Sequence, residues 1–183
     1  SDDSDDADDS DSTIASGVEI LVRLTPRCNQ DCPFCSGPPH QEPSAEALSA
    51  LFAWIPSRFP GALLTLTGGE PTLRADFAEL CRAALANEGI EALQIQSNGV
   101  SLASKARLAA LPRDPRMRFF VSLHAVDAAV YDRCTGTTGQ LEPALAGIRG
   151  LLGAGHAVTI NVVVSQLNLG HLASLVEALP VLL

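Results

Sequence analysis

Short apolar runs alternate with alanine- and leucine-rich stretches from residue 18 to the last residue. The runs at 18–25 (VEILVRLT), 62–67 (ALLTLT), 91–97 (EALQIQS), 117–124 (MRFFVSLH) and 157–164 (AVTINVVV) are rich in Val, Ile, Leu, Phe and Thr. Their length and composition suit buried parallel strands. The stretches at 44–57, 75–88, 102–111, 141–153 and 169–179 space their apolar residues as helices do. Pro43-Ser44 followed by Glu46 is a helix-start signal, and Asp76 stands early in the second helix. Asn87-Glu88-Gly89 and Gly153-Ala154-Gly155 read as helix stops before the next strand. Five strands alternating with five helices imply an α/β fold, a parallel sheet with right-handed crossovers. An open sheet and part of a barrel both satisfy this pattern, and both bind ligands at the carboxyl ends of their strands.

A chain of 183 residues suits one domain, and a hydrophobic fraction of 46% is enough to bury a core. Seven aspartates fall among the first eleven residues, and residues 1–13 (SDDSDDADDSDST) are expected to be a disordered acidic tail. An EF-hand calcium loop needs Gly at its sixth position and Glu at its twelfth, which no register of this tail supplies. Removing those seven from the 21 acids leaves 14 against 12 bases, so residues 18–183 form a nearly neutral body. That body offers no basic field for nucleic acid, and no apolar stretch is long enough to span a membrane. The acidic start is the opposite of a secretory leader, and a cytoplasmic protein is expected. The single methionine is Met117, so Ser1 is not a translation start. A processed chain or a piece of something longer is the expectation. Five cysteines without a signal peptide favour metal binding or buried thiols over a disulfide framework.

Directly after the first strand comes TPRCNQDCPFCSG, which spaces Cys28, Cys32 and Cys35 as C-x3-C-x2-C. A tight loop at a strand end can aim three sulfurs at one centre, and soft thiolates favour zinc or an iron–sulfur cluster. A closed structural zinc site would need a fourth ligand, for which His40 is the nearest candidate. A four-iron cubane on three cysteines leaves one iron free to bind a small chelating molecule. The second strand ends in Thr65-Leu66-Thr67-Gly68-Gly69-Glu70-Pro71. Its two glycines let the backbone pass close to a ligand. Alone, Gly-Gly-Glu reads as a turn followed by a solvated acid. One strand over from the cysteines, it reads as an acceptor for an ammonium group.

Together these motifs resemble the radical S-adenosylmethionine (radical SAM) superfamily. Its hallmark is C-x3-C-x-Φ-C, with Φ aromatic, and Cys28, Cys32, Phe34 and Cys35 match it residue for residue. Gly68-Gly69-Glu70 is similar to the family's GGE motif, which holds the amino group of the cofactor. Ile95-Gln96-Ser97-Asn98-Gly99 and Val121-Ser122-Leu123-His124 resemble its third and fourth strand ends, and Arg133 resembles a carboxylate-binding arginine of its peptide- and protein-modifying branches. The resemblance runs from about residue 18 to the end.

It implies a partial (βα) barrel, with about five of six core units present, and a [4Fe-4S] cluster on Cys28, Cys32 and Cys35. S-adenosylmethionine would bind the open iron, with Phe34, Gly68, Gly69, Glu70, Asn98, Ser122 and Arg133 around it. Reductive cleavage would yield a 5′-deoxyadenosyl radical that abstracts hydrogen from a substrate. The partners implied are an electron donor of flavodoxin or ferredoxin type and a substrate. Branch features lean toward a peptide or protein, with a small molecule as the other option. Against the family pattern, the sixth strand is missing, so a C-terminally incomplete core is expected. An inactive remnant and a zinc module are the competing readings.

Phe34 equally suits a plug in the core beneath the loop. Asn98 equally suits a turn with Gly99, and Ser122 on an apolar strand needs a partner. His124 reads as a satisfied structural histidine that could instead face the substrate. Asn161 is expected to point into a polar barrel interior, Cys81 to be a buried thiol, and Cys134 to have no cluster role. His156 and His171 read as surface or cap residues.

Overall fold

Strand β1 (Glu19–Arg23) pairs with β2 (Ala62–Thr67), β2 with β3 (Ile90–Ser97), β3 with β4 (Met117–Ser122), and β4 with β5 (Ala157–Asn161). Every pair is parallel. The computed structural model describes residues 17–183, so the acidic tail expected at 1–13 lies outside the described residues. The connections carry helices α1 (Ala45–Arg58), α2 (Phe77–Leu85), α3 (Lys105–Ala110), α4 (Ala128–Thr135) and α5 (Leu141–Gly153), and α6 (Leu172–Leu182) follows β5.

Strand order in the sheet follows chain order, β1-β2-β3-β4-β5. A doubly wound sheet reverses direction part-way, and this one does not. With right-handed crossovers, all helices then fall on one side, and the other side becomes an inner face. Part of a barrel is therefore realised, and it is not closed, because β1 and β5 each pair with one neighbour.

The two faces differ as that arrangement demands. Leu64, Leu66, Leu93, Ile95, Phe119 and Val121 are buried beneath the helices. Burying each such side chain contributes about 1.5–3 kcal/mol. The alternate positions form a polar inner row rather than a second apolar face. Thr65 Oγ1 donates to Glu19 at 2.7 Å, Gln94 Nε2 donates to Thr65 Oγ1 at 3.4 Å, and Arg118 Nε donates to Gln94 Oε1 at 3.2 Å.

Ser44 caps α1 by accepting from the Ala47 N–H, as its position before Glu46 predicts. The helix expected over 102–111 is divided at Ser104, where a short 3-10 turn (Val100–Ala103) gives way to α3. Helix α4 was not expected. It is eight residues long, carries Asp132 and Arg133, and lacks a continuous apolar stripe, so periodicity does not announce it.

Candidate functional site

Backbone pairing holds the cysteine loop against the end of β2. The Leu24 N–H donates to Thr67 O at 2.8 Å, the Gly69 N–H to Thr25 O at 2.6 Å, and the Glu70 N–H to Arg27 O at 2.7 Å. A Cβ at Gly69 would stand 2.2 Å from the Arg27 carbonyl oxygen. This glycine is thus required by the close approach of the two loops to each other. Proximity to a ligand was the expected reason, and the loop contact is a sufficient one.

Further along, α4 and its exit brace the same loop. The Asp31 N–H donates to Thr135 O at 2.8 Å, Gln30 Nε2 to the Tyr131 hydroxyl at 3.0 Å, and Gln140 Nε2 to Asn29 O at 2.9 Å. Asn98 Nδ2 adds a bond to Asn29 Oδ1 at 2.7 Å from the end of β3, while Asn98 Oδ1 accepts from the Val100 N–H. Asn98 therefore serves both the turn at Gly99 and the cysteine loop.

So braced, Cys28, Cys32 and Cys35 line one cavity of about 260 Å³ at the carboxyl ends of the strands. All five cysteines are free thiols. Burial raises Cys28, with Glu70 and Cys35 adding to the effect. Burial, then the neighbouring Cys28 and Cys35, pushes Cys32 up to about 11. Cluster or metal binding must displace those protons. Cys81 and Cys134 are buried in α2 and α4, away from this cavity.

Glu70 is 1% exposed and lies at the back of the cavity. Its Oε1 accepts from the Thr72 N–H (3.1 Å), the Thr72 hydroxyl and the Ser97 hydroxyl (2.8 Å), and Oε2 accepts from the Asn98 N–H at 2.7 Å. A carboxylate has about four acceptor sites, so Oε2 retains capacity for another donor. Burial raises the Glu70 carboxyl above the usual carboxylate range, while its hydrogen bonds oppose the rise. It forms no ion pair among the described residues. An incoming ammonium would supply the missing positive charge.

The remaining walls include Gly68, Phe34, Asn98, Ser122, His124, Arg23, Gln96 and Val163. The Phe34 ring meets His124 edge-on, with centroids 5.1 Å apart. His124 Nδ1 accepts from the Val163 N–H at 3.3 Å, so the neutral ring carries its proton on Nε2. Burial holds this histidine below the usual imidazole range. Asn161 Nδ2 donates to Ser122 Oγ at 3.5 Å on the inner face. Arg133 is exposed on α4 and does not line the cavity. Sequence reasoning passed over Arg23 and took Gln96 only as part of the Ile95–Gly99 strand end, although both follow the alternation that turns Thr67 and Ser122 inward.

Three thiols lining one cavity are a donor set of the kind that holds an iron–sulfur cluster. In a cubane each thiolate takes a different iron, so the sulfurs surround the metal rather than meet at a point. Among the described residues, no three His, Cys, Asp or Glu side chains are grouped to hold one ion. His40, the fourth ligand of the zinc alternative, does not line the cavity. Its Nδ1 lies 3.1 Å from Pro38 O, and its Nε2 is buried without a hydrogen-bond partner.

Residues 22–179 match the family model described as the radical SAM superfamily. The chain belongs to that superfamily. A radical SAM protein uses a [4Fe-4S] cluster and S-adenosylmethionine, which accord with the three thiols and the carboxylate facing one cavity. Among curated relatives, the probable GTP 3',8-cyclase of Aeropyrum pernix is 33% identical over 165 residues, covering 84% of this chain and 45% of the relative. The GTP 3',8-cyclase of Xanthomonas axonopodis pv. citri is 39% identical over 114 residues, covering 61% of this chain and 34% of the relative. The radical SAM chain described here spans about half the length of the curated relatives it matches.

Among solved structures, Streptococcus suis SuiB bound to S-adenosylmethionine superposes with a TM-score of 0.73 at 18% identity, covering 88% of this chain and 37% of SuiB. The anSMEcpe structure with bound AdoMet and the Kp18Cys peptide gives 0.74 at 15% identity, covering 87% and 47%. Those two likenesses show the radical SAM fold alone. No helix of the described residues is long and apolar enough to cross a membrane.

Proposed function

We propose that this chain is the cofactor-binding core of an enzyme that cleaves S-adenosylmethionine reductively and removes a hydrogen atom from its substrate. The observation that carries this reading is the convergence of Cys28, Cys32, Cys35 and the buried Glu70 on one cavity. When bound, the cluster and S-adenosylmethionine supply a carbon-centred radical, and the chain's residues do the placing. Cys28, Cys32 and Cys35 would hold the cluster. Glu70, through Oε2, would take the ammonium group of the cofactor, with Gly68 and Gly69 shaping the turn that presents it. Ser122 and Asn98 would offer hydrogen bonds to the cofactor, and Phe34 an apolar face. Arg133, exposed on α4, would need a change of place to join them, so Arg23 is the better candidate for a carboxylate.

For the substrate, the names of the curated relatives support a purine nucleotide over the peptide suggested by branch features. Arg23 and Arg118 are the cations that the strands turn to the inner face, and either could take a phosphate. A one-electron donor of flavodoxin or ferredoxin type would be the partner. Five free thiols suit a reducing cytoplasmic setting.

Anaerobic reconstitution followed by reduction tests the proposal. The expected outcome is about four irons per chain, a paramagnetic signal that changes on adding S-adenosylmethionine, and formation of 5′-deoxyadenosine. A protein that takes up iron but shows neither spectral change nor cofactor cleavage refutes the enzymatic reading for this chain. Incubation with GTP or with a peptide, following deuterium transfer into 5′-deoxyadenosine, separates the two substrate classes.

A further inference from the structure

A second cavity, of about 280 Å³, opens between α3 and α5, lined among others by Lys105, Leu108, Arg113, Gly153 and His156. Arg113 precedes β4 and His156 immediately precedes β5, so this cavity lies at the amino ends of the strands. It is separated from the thiols by one strand length, roughly 20 Å.

Its electrostatics are one-sided. No aspartate or glutamate lines it. Lys105 and Arg113 take part in no ion pair among the described residues. Asp114, the acid next to Arg113 in the chain, is engaged by Arg116 at 2.9 Å. The two cations are not needed as helix caps either. The N–H groups of Ala154, Gly155 and His156 already bond the carbonyls of Gly150, Leu152 and Leu151 at the end of α5.

Of the surface or cap positions expected for it, His156 takes the cap: its N–H bonds Leu151 O at the end of α5, and its side chain is not on the surface. It is 8% exposed, packed edge-on against Phe119 with centroids 5.1 Å apart, and its ring has no hydrogen bond to the described residues. Burial, and then the charge of Arg113, hold it below the usual imidazole range. The ring of His156 opens onto the cavity, where like charges repel until an anion enters.

We propose that this cavity is a binding site for a small oxyanion, a phosphate or phosphomonoester. Lys105 would supply a point charge, Arg113 a planar fork suited to two oxygens, and His156 a ring N–H. The site does not depend on the radical reading, since it shares no residue with the first cavity.

Equilibrium dialysis of the intact chain against labelled inorganic phosphate tests it, with glycerol phosphate in a second arm to tell free anion from ester. One saturable site is expected, weakened at least about tenfold (about 1.4 kcal/mol) in Arg113→Gln and in His156→Gln. Arg149→Gln, on α5 but outside the cavity, should bind as the parent does. Circular dichroism checks that each variant is folded, and Lys105→Gln replaces any variant that is not. Failure of both probes to bind saturably overturns the proposal, as does binding that survives unchanged in these cavity variants.

Discussion

At the scale of single residues, Glu70 links the architecture to the chemistry. One carboxylate joins the end of β2 to the end of β3 through Ser97 and Asn98, and it also faces the cavity of the three thiols. Replacing it with Gln sets an amide NH2 against a donor on one side, because the Asn98 N–H and the Thr72 and Ser97 groups all donate to it. Glu70→Gln is expected to lose about 1–3 kcal/mol of stability and to weaken S-adenosylmethionine binding at least about tenfold. Thermal melts and calorimetric titration of the cluster-loaded protein read the two effects. Unchanged cofactor affinity would remove Glu70 from the binding role. The thiols and Gly-Gly-Glu were legible in the sequence because their spacing is local and few structures need it. The partners of Glu70 were not, since Ser97 and Asn98 lie 27 and 28 positions away and only strand pairing brings them near.

Among the elements, α4 shows how a short helix can escape pattern reading and still control a site. It buries Val130, Tyr131, Cys134 and Thr135, and its carbonyl, hydroxyl and exit residues hold Asn29, Gln30 and Asp31 of the cysteine loop. The turn that ends it needs Gly136, at φ +64°, where a Cβ would sit 2.1 Å from the Asp31 carbonyl oxygen. Gly136→Ala therefore combines left-handed strain of about 1–2 kcal/mol with a backbone clash in the cysteine loop. The helical content should be kept while iron uptake on reconstitution falls by about half or more. Far-ultraviolet circular dichroism and iron analysis of the same sample check this, and full iron uptake would show that α4 does not position the loop. The strands were easier to foresee, because each is a compact apolar run. Their ends were not: β4 stops at Ser122 and β5 at Asn161, where polar side chains turn to the inner face and ladder pairing ceases.

Over the molecule as a whole, alternation of strand and helix dictated a parallel sheet, but choosing a barrel segment required the order of the strands, which no local pattern encodes. The same long-range packing sets how the fold responds to acid. Arg74 is buried and donates to Leu24 O and Pro43 O, both at 2.9 Å, and to both oxygens of Asp76 at 2.8 and 2.7 Å, which locks the return of the cysteine loop to β1 and α2. These bonds hold Asp76 below the usual carboxylate range, and Arg116 does the same to Asp114. An acid depressed in the folded state contributes stability that is present above its unfolded value, near 3.9, and is lost as pH falls through the folded value. Glu70, raised by burial, acts in the opposite sense, so its cost is relieved as pH falls through its folded value toward about 4.3. Asp76→Asn should thus destabilise the protein at neutral pH by about 1–2 kcal/mol, allowing for screening of the partly exposed carboxylate. That corresponds to roughly 2–6 °C in melting temperature. The gap between variant and parent should close as the pH is lowered below 4 and the parent's own Asp76 takes up a proton. Melting curves of both proteins from neutral pH to about pH 3 decide the matter, and a gap of constant size across that range would mean that the Arg74 clamp does not work through the charge of Asp76.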